Sequence, residues 1–198
     1  MRRRISISMV IRKFMLDVLD KIMPAESIKN EFYQSLIETP LGPMVVIADK
    51  NGLYLLEFVD WHGLEHTIKN LCLKTEAMII TGSADPILSI GDELSSYFGG
   101  SLQEFKTPLR PIGTPFQKLA WSGLMRVPYG QTRSYRDQAT SIGKPTATRA
   151  VANANGANPI AIVIPCHRII NSNGDLGGYG GGIARKKWLI NHEKQHGS

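Results

Sequence analysis

The sequence predicts an α+β chain in two parts. The N-terminal part has a small antiparallel sheet plus helices; the C-terminal part is mostly helical and carries a helix-turn-helix and a Cys-His motif. Three observations carry that prediction. Short β-rich runs separated by turn residues crowd residues 32–58, whereas capped helical patterns dominate after residue 114. Between them, Thr107-Pro-Leu-Arg-Pro-Ile-Gly113 holds two prolines in seven residues and reads as a linker. The charge balance switches at the same place, from 12 basic against 14 acidic residues up to Gly113 to 11 basic against 3 acidic beyond it. The expected organisation is an extension over residues 1–29, an α/β unit over 30–106, the linker at 107–113 and a second unit over 114–198.

With 198 residues, 42% hydrophobic and 20% charged, the chain has the composition of an ordinary globular protein. Its two cysteines, Cys72 and Cys166, do not make a disulfide-stapled secreted scaffold, which favours a reducing, cytoplasmic setting, or the nucleus in a eukaryotic cell. The basic second half suggests a polyanionic partner, with nucleic acid first in line; a merely solubilising charge is the alternative. At the start, Arg2, Arg3 and Arg4 lead into an amphipathic segment read as a helix over Met9–Met23, ended by Pro24. Its apolar run, broken by Arg12 and Lys13, is too short to span a bilayer, and no small-residue cleavage site follows it. No membrane partner is expected.

Phe32–Glu38, Met44–Ala48 and Leu53–Phe58 read as strands, with turns at Pro40–Pro43 and at Asp49-Lys-Asn-Gly52. Trp61–Leu73 fits a helix, with Leu64, Ile68 and Leu71 on one face. His62 and His66 lie four apart on it, but with no third ligand in a motif they read as surface polar residues. Met78–Thr81 reads as a strand, and Pro86–Phe98 as a helix terminated by Gly99-Gly100. After the linker, Thr114-Pro-Phe-Gln117 is a capping box that opens a helix to about Met125. Ser134-Tyr-Arg-Asp137 is a second box, opening a short helix to about Ile142; Gly143 ends it, and Pro145 opens another to about Asn155. The last two match a helix-turn-helix outline. The second of them carries Thr146, Ala147, Thr148 and Ala150 around one long side chain, Arg149. Such a face lets a helix sit close to a DNA groove with one arginine reaching inward, or packs against the protein's own core.

The stretch Asn158–Ile170 reads N-P-I-A-I-V-I-P-C-H-R-I-I, two apolar arms around Cys166, His167 and Arg168. A thiol beside an imidazole, near the end of a buried strand and fixed by Pro165, can be an activated nucleophile; a small apolar Cys in a core is the bland alternative. The glycines from Gly174 to Gly182 lack the Lys-Ser/Thr of a phosphate loop and fit a mobile wall beside a flat base. Arg185, Lys186 and Lys187 read as phosphate- or solvent-facing, and Trp188 and Leu189 as core.

Ile164-Pro-Cys-His-Arg168 resembles the active-site motif of the O6-alkylguanine-DNA alkyltransferases, or methylated-DNA–protein-cysteine methyltransferases. The resemblance runs from Thr114-Pro-Phe-Gln117 to His192-Glu193, through Ser134-Tyr135, Arg149-Ala-Val151, Asn158-Pro159 and Tyr179; the first half is similar more loosely. It implies direct-reversal repair of double-stranded DNA by a monomer, with single-turnover transfer of the alkyl group of O6-alkylguanine, and of O4-alkylthymine, to Cys166. His167 would be the base that takes the thiol proton through a water, Glu193 would orient it, and Asn158 would brace the loop. Tyr135 would rotate the nucleotide and protonate the departing guanine. Arg149 would fill the space of the flipped base, with Thr146, Ala147, Thr148, Ala150, Arg136 and Arg168 contacting DNA. Pro165, Tyr179, Gly180 and Gly181 would line the pocket.

Three family features bear on the expectation. Many relatives carry a serine after the tyrosine of the glycine loop, where this chain has Gly180, so contacts there must come from backbone N–H groups. Some bind zinc through N-terminal cysteines and histidines; this chain offers only Cys72 there, so neither metal nor cofactor is expected. Alkyltransferase-like relatives replace the cysteine by tryptophan, and Cys166 argues against that class. The rival functions are a lesion sensor that binds without transfer, and a multiple-turnover cysteine hydrolase. Adjacency of Cys and His in sequence is awkward for the hydrolase.

Overall fold

The structure is a computed structural model and describes residues 28–197. The helix expected over Met9–Met23 lies outside the described residues. Strands β1 (Asn30–Ile37), β2 (Met44–Asp49) and β3 (Gly52–Phe58) form the expected antiparallel meander. The β2–β3 turn is closed by its own aspartate: Asp49 Oδ1 accepts the N–H groups of Asn51 at 2.7 Å and Gly52 at 3.0 Å. Helix α1 (Leu64–Thr75) then carries the chain back, so that β4 (Ala77–Thr81) enters beside β1 and parallel to it, in the order β3-β2-β1-β4. The small sheet is therefore mixed rather than wholly antiparallel. A strand's residue pattern does not encode its direction; the helical crossover sets it here.

Each face of the sheet has its own helix. Leu64, Ile68, Leu71 and Cys72 of α1 pack on Val45, Ile47 and Leu55. On the other face α2 (Asp85–Phe98) lays Ile87, Ile90, Leu94 and Tyr97 against Val46, Leu56 and Phe58. That second core continues without a break into Trp121, Leu124, Ile160–Ile164 and Leu189. The proline-rich connection is strapped to the sheet: Leu53 donates to Pro108 O at 2.8 Å, and Arg110 donates to Leu53 O at 2.8 Å.

Helix α3 (Pro115–Leu124) starts with the complete Thr114/Gln117 capping box. Strand β5 (Arg133–Ser134) runs directly into α4 (Tyr135–Ser141), whose Ser134/Asp137 box is also complete. Helix α5 (Thr148–Gly156) begins three residues later than Pro145, because Lys144–Ala147 forms a turn closed by Ala147 N–H on Lys144 O. Gln138 of α4 and Asn155 of α5 exchange amide hydrogen bonds at 3.0 and 2.7 Å in a buried, reciprocal pair. Around them the small Ala120, Ala139 and Ala154 let the helices approach closely, with Ile142 and Val151 filling the remaining space. Strand β6 (Ile169–Ile170) pairs parallel with β5, and α6 (Ile183–His196) closes the chain. Among the described residues no helix is long and apolar enough to cross a membrane.

Candidate active site

The arm Ile160–Ile164 is not a strand. It folds into consecutive turns, with Ile162 at φ +71°, a conformation that costs a β-branched residue on the order of 1–3 kcal/mol. Its surroundings enforce the bend. Leu56 of β3 donates to Pro159 O and accepts from Ala161, so only one rung of the expected ladder forms. Asn158 fills the inside of the turn: its Oδ1 accepts Ile160 N–H at 3.1 Å and its Nδ2 donates to Ile164 O at 2.8 Å. Pro165, at φ −83° and ψ 62°, is the centre of an inverse γ-turn in which Cys166 N–H donates to Ile164 O. A 3₁₀ turn over Cys166–Arg168 follows. The thiol is thus held on a rigid corner, where Asn158 Nδ2 also donates to Sγ at 3.2 Å.

His167 is fully buried, and its Nε2 lies 2.7 Å from Glu193 Oε1. Burial lowers its basicity below the usual histidine range, against the pull of Glu193, so the resting ring is neutral and Nε2–H is the donor. The other ring nitrogen, Nδ1, is buried without a protein partner among the described residues. Glu193 is the hub. It also accepts from Tyr97 O–H at 2.9 Å, Arg168 Nε at 2.8 Å, Arg168 Nη2 at 3.0 Å and Gly130 N–H at 3.2 Å. Burial alone would push its carboxyl upward, but the donors of His167 and Arg168 outweigh it and hold the pKa at about 2. Arg168 is therefore not a DNA contact. Its guanidinium points inward, with Nη1 donating to Val127 O at 2.7 Å, because an ionised Glu193 in the core needs a counter-charge.

Pairing of β5 with β6 brings Tyr135 beside the cysteine corner, since Ser134 is opposite Ile170. Burial first, then the nearby Cys166 charge, pushes the Tyr135 phenol above its ordinary value, so it keeps its proton. Cys166 itself is pushed up to about 11 by burial, with the Asn158 hydrogen bond acting against it. The thiol therefore rests protonated and needs a base. The glycine loop curves round this group. A Cβ on Gly177 would lie 3.4 Å from Tyr135 Oη, and the Tyr179 phenol is pushed well above its ordinary value by burial first and then by the charge Cys166 carries when ionised. Lys186, expected at the surface, is wholly buried, its ammonium donating to Ile169 O and to Gly178 O. Arg185 is likewise tied down, by Asp60, Leu41 O and Gly181 O, which leaves Lys187 as the exposed member of the run. Trp188 is 37% exposed and stacks on His192 at 4.7 Å rather than entering the core.

On the outer side, Thr146, Arg149, Ala150 and Arg136 are exposed, with Ala147 and Thr148 half-buried, while Val151 and Ala154 face inward. The helix-turn-helix thus presents the small-residue face and its single long arginine to the outside, not to the core. His66 Nε2 is engaged by Asn70 at 2.8 Å and is not paired with His62.

Residues 115–195 match the family model described as 6-O-methylguanine DNA methyltransferase, DNA binding domain. A methylated-DNA–protein-cysteine methyltransferase of Mycobacterium tuberculosis is 54% identical over 160 residues, covering 80% of this chain and 90% of the relative. The Methanosarcina barkeri protein of the same name is 40% identical over 174 residues, with 83% and 98% coverage. This chain belongs to the methylated-DNA–protein-cysteine methyltransferase family. Among solved structures, Mycobacterium tuberculosis OGT in complex with DNA superposes with a TM-score of 0.70, at 39% identity over 84% of this chain and 94% of that one.

In this family member, Cys166, His167, Asn158, Glu193 and Tyr135 come together, with Pro165 and Tyr179 beside them, while Gly180 and Gly181 lie against Trp61 and Phe58. Three residues of the site escaped the sequence reading. Tyr97 lies at the end of the apolar series Ile87, Ile90, Leu94, so its core position was legible but its hydroxyl's partner was not. Lys186 shares the i, i+3, i+4, i+7 face with Leu189, Ile190 and Glu193, a spacing that signals burial. Gly130, whose N–H reaches Glu193, carried no signal beyond a turn.

Proposed function

We propose that this protein repairs O6-alkylguanine in duplex DNA by moving the alkyl group irreversibly onto Cys166, once per molecule. The observation that carries the reading is the relay: a thiol on a rigid corner, next to a buried neutral histidine whose Nε2 is committed to an ionised glutamate. That commitment leaves Nδ1 as the free lone pair, which takes the thiol proton through a water. The imidazolium formed is stabilised by Glu193. The sulfur then bonds to the alkyl carbon as the carbon–O6 bond breaks, and Tyr135, held protonated, donates to the guanine ring so that a neutral base departs. O4-alkylthymine carries the same alkyl–oxygen bond and is a substrate of the same class. The thioether product does not return its alkyl group to water, so the protein is consumed. All these side chains come from one chain, which supports action as a monomer. Working on DNA places it in the cytoplasm, or in the nucleus of a eukaryotic cell.

The target atom lies inside a base pair, so the nucleotide must be extruded at a cost of a few kcal/mol. The exposed Arg149 at the start of α5 offsets this by occupying the vacated stack. Arg149→Ala slows transfer from duplex DNA by about tenfold or more, while transfer from free O6-benzylguanine keeps the wild-type rate. Arg136→Ala, by contrast, weakens binding to all duplexes alike and reduces the salt slope by about one. The test of the function is stoichiometry. Duplex DNA carrying labelled O6-methylguanine, in excess over protein, should yield a burst that stops at one equivalent. Continued turnover, or label remaining on the DNA, refutes it.

A further inference from the structure

The loop Gly177–Gly181 passes beside Tyr135 at Gly177 and brings Tyr179 within reach of the charge of Cys166, yet most of its residues have no side chain with which to hold position. Its distance from the cysteine is set by what it leans on. Two supports come from α6: Lys186 on Gly178 O and Arg185 on Gly181 O, at 3.2 and 3.0 Å. The third comes from the other half of the molecule. At Gly180 a Cβ would lie 3.1 Å from Trp61 Nε1, and at Gly181 it would lie 3.0 Å from the Phe58 ring. The backbone of Trp61 is fixed in turn, since its main-chain N–H donates to Phe58 O and its carbonyl accepts from Leu64 N–H, both at 3.1 Å. Arg185 staples the two together, gripping Asp60 at 2.8 and 3.0 Å, donating to Leu41 O at 2.9 Å, and lying 4.0 Å over the Phe58 ring.

We infer that Trp61, on the β3–α1 connection, is a specificity-determining residue: its indole backs the glycine loop at Gly180 and so sets how large an alkyl group fits between that loop and Cys166. The sheet half of the protein therefore selects substrates by size without touching DNA or the reacting atoms. Gly180 is not held at a positive φ, so a side chain there is limited by the indole, which a Cβ would meet at 3.1 Å, rather than by φ. Removing the indole lets the loop retreat and widens the pocket; adding a methyl group at 180 pushes the loop towards the cysteine and narrows it.

The inference rests on the transfer reading above, and the experiment separates the two. Single-turnover rates are measured on duplexes carrying O6-methylguanine or O6-benzylguanine. The benzyl-to-methyl rate ratio should rise about tenfold or more in Trp61→Ala, and stay within about twofold of wild type in Trp61→Phe, which keeps an aromatic wall. It should fall in Gly180→Ala and return towards wild type when Gly180→Ala and Trp61→Ala are combined. A merely structural Trp61 would slow both substrates equally and leave the ratio unchanged, and that result overturns the inference. If Trp61→Ala does not fold, an unchanged ratio in Gly180→Ala overturns it instead. Failure of the wild type to accept a methyl group would count against the transfer reading, not against the role of Trp61.

Discussion

Cys166→Ala should transfer nothing, a loss of at least about four orders of magnitude, while its affinity for a lesion-bearing duplex stays within about twofold of wild type. The reason is geometric. Cys72, the other thiol, lies on α1, buried against the opposite face of the sheet, and is pushed up to about 11 by burial, so it cannot substitute. The exposed Arg136 and Arg149, proposed above to meet DNA, lie on α4 and α5, and the corner around Cys166 is held by Asn158 and Pro165, so removing the sulfur leaves that face in place. Gel-shift titration and single-turnover transfer on the same lesion duplex check both halves. Residual transfer by Cys166→Ala contradicts the assignment, and simultaneous loss of binding would make Cys166 a structural residue.

The second large effect concerns Glu193. Truncation to Ala removes one carboxylate that accepts from Tyr97, His167, Arg168 and Gly130, and leaves the Arg168 guanidinium buried without a counter-charge. Breaking a buried pair in this way costs about 3–5 kcal/mol, readable as a fall in the denaturant midpoint. Glu193→Gln keeps the volume but removes the charge that stabilises the imidazolium, and slows transfer by about 100-fold or more. The same carboxyl fixes an acid limb. Its folded pKa, about 2, lies below the unfolded glutamate value, so its contribution is complete above the unfolded value. That contribution is lost as the pH drops from about 4.3 towards 2. Wild-type stability should therefore decline more steeply across that window than that of Glu193→Gln. Parallel curves would show that Glu193 is not the ionised hub.

How far the sequence revealed all this varied with the physics of each element. The capped helices α3 and α4 were legible because a capping box is a local device: Thr114 and Gln117, or Ser134 and Asp137, satisfy each other within one turn. The meander was legible for the same reason, through Asp49 and its turn. What was not legible depended on distant partners. Ile160–Ile164 has the composition of a strand, yet Asn158 and Leu56 bend it into turns, a decision made by hydrogen bonds that local propensity does not contain. Arg168 and Lys186 read as solvent- or phosphate-facing because charged residues usually are. Glu193 and two backbone carbonyls draw them inside. Cys166 and His167 could be named from their motif, but the tautomer of His167 and the freedom of Nδ1 follow only from where Glu193 sits.

The central claim is that Cys166 is the acceptor and is spent by use. It is tested most directly by digesting the protein after reaction with a duplex containing O6-methylguanine and locating the added mass by peptide mass spectrometry. A single methyl group on the Cys166 peptide, matched mole for mole by repaired guanine, is the predicted result. Repaired guanine with an unmodified Cys166, or a methyl group on any other residue, would contradict it.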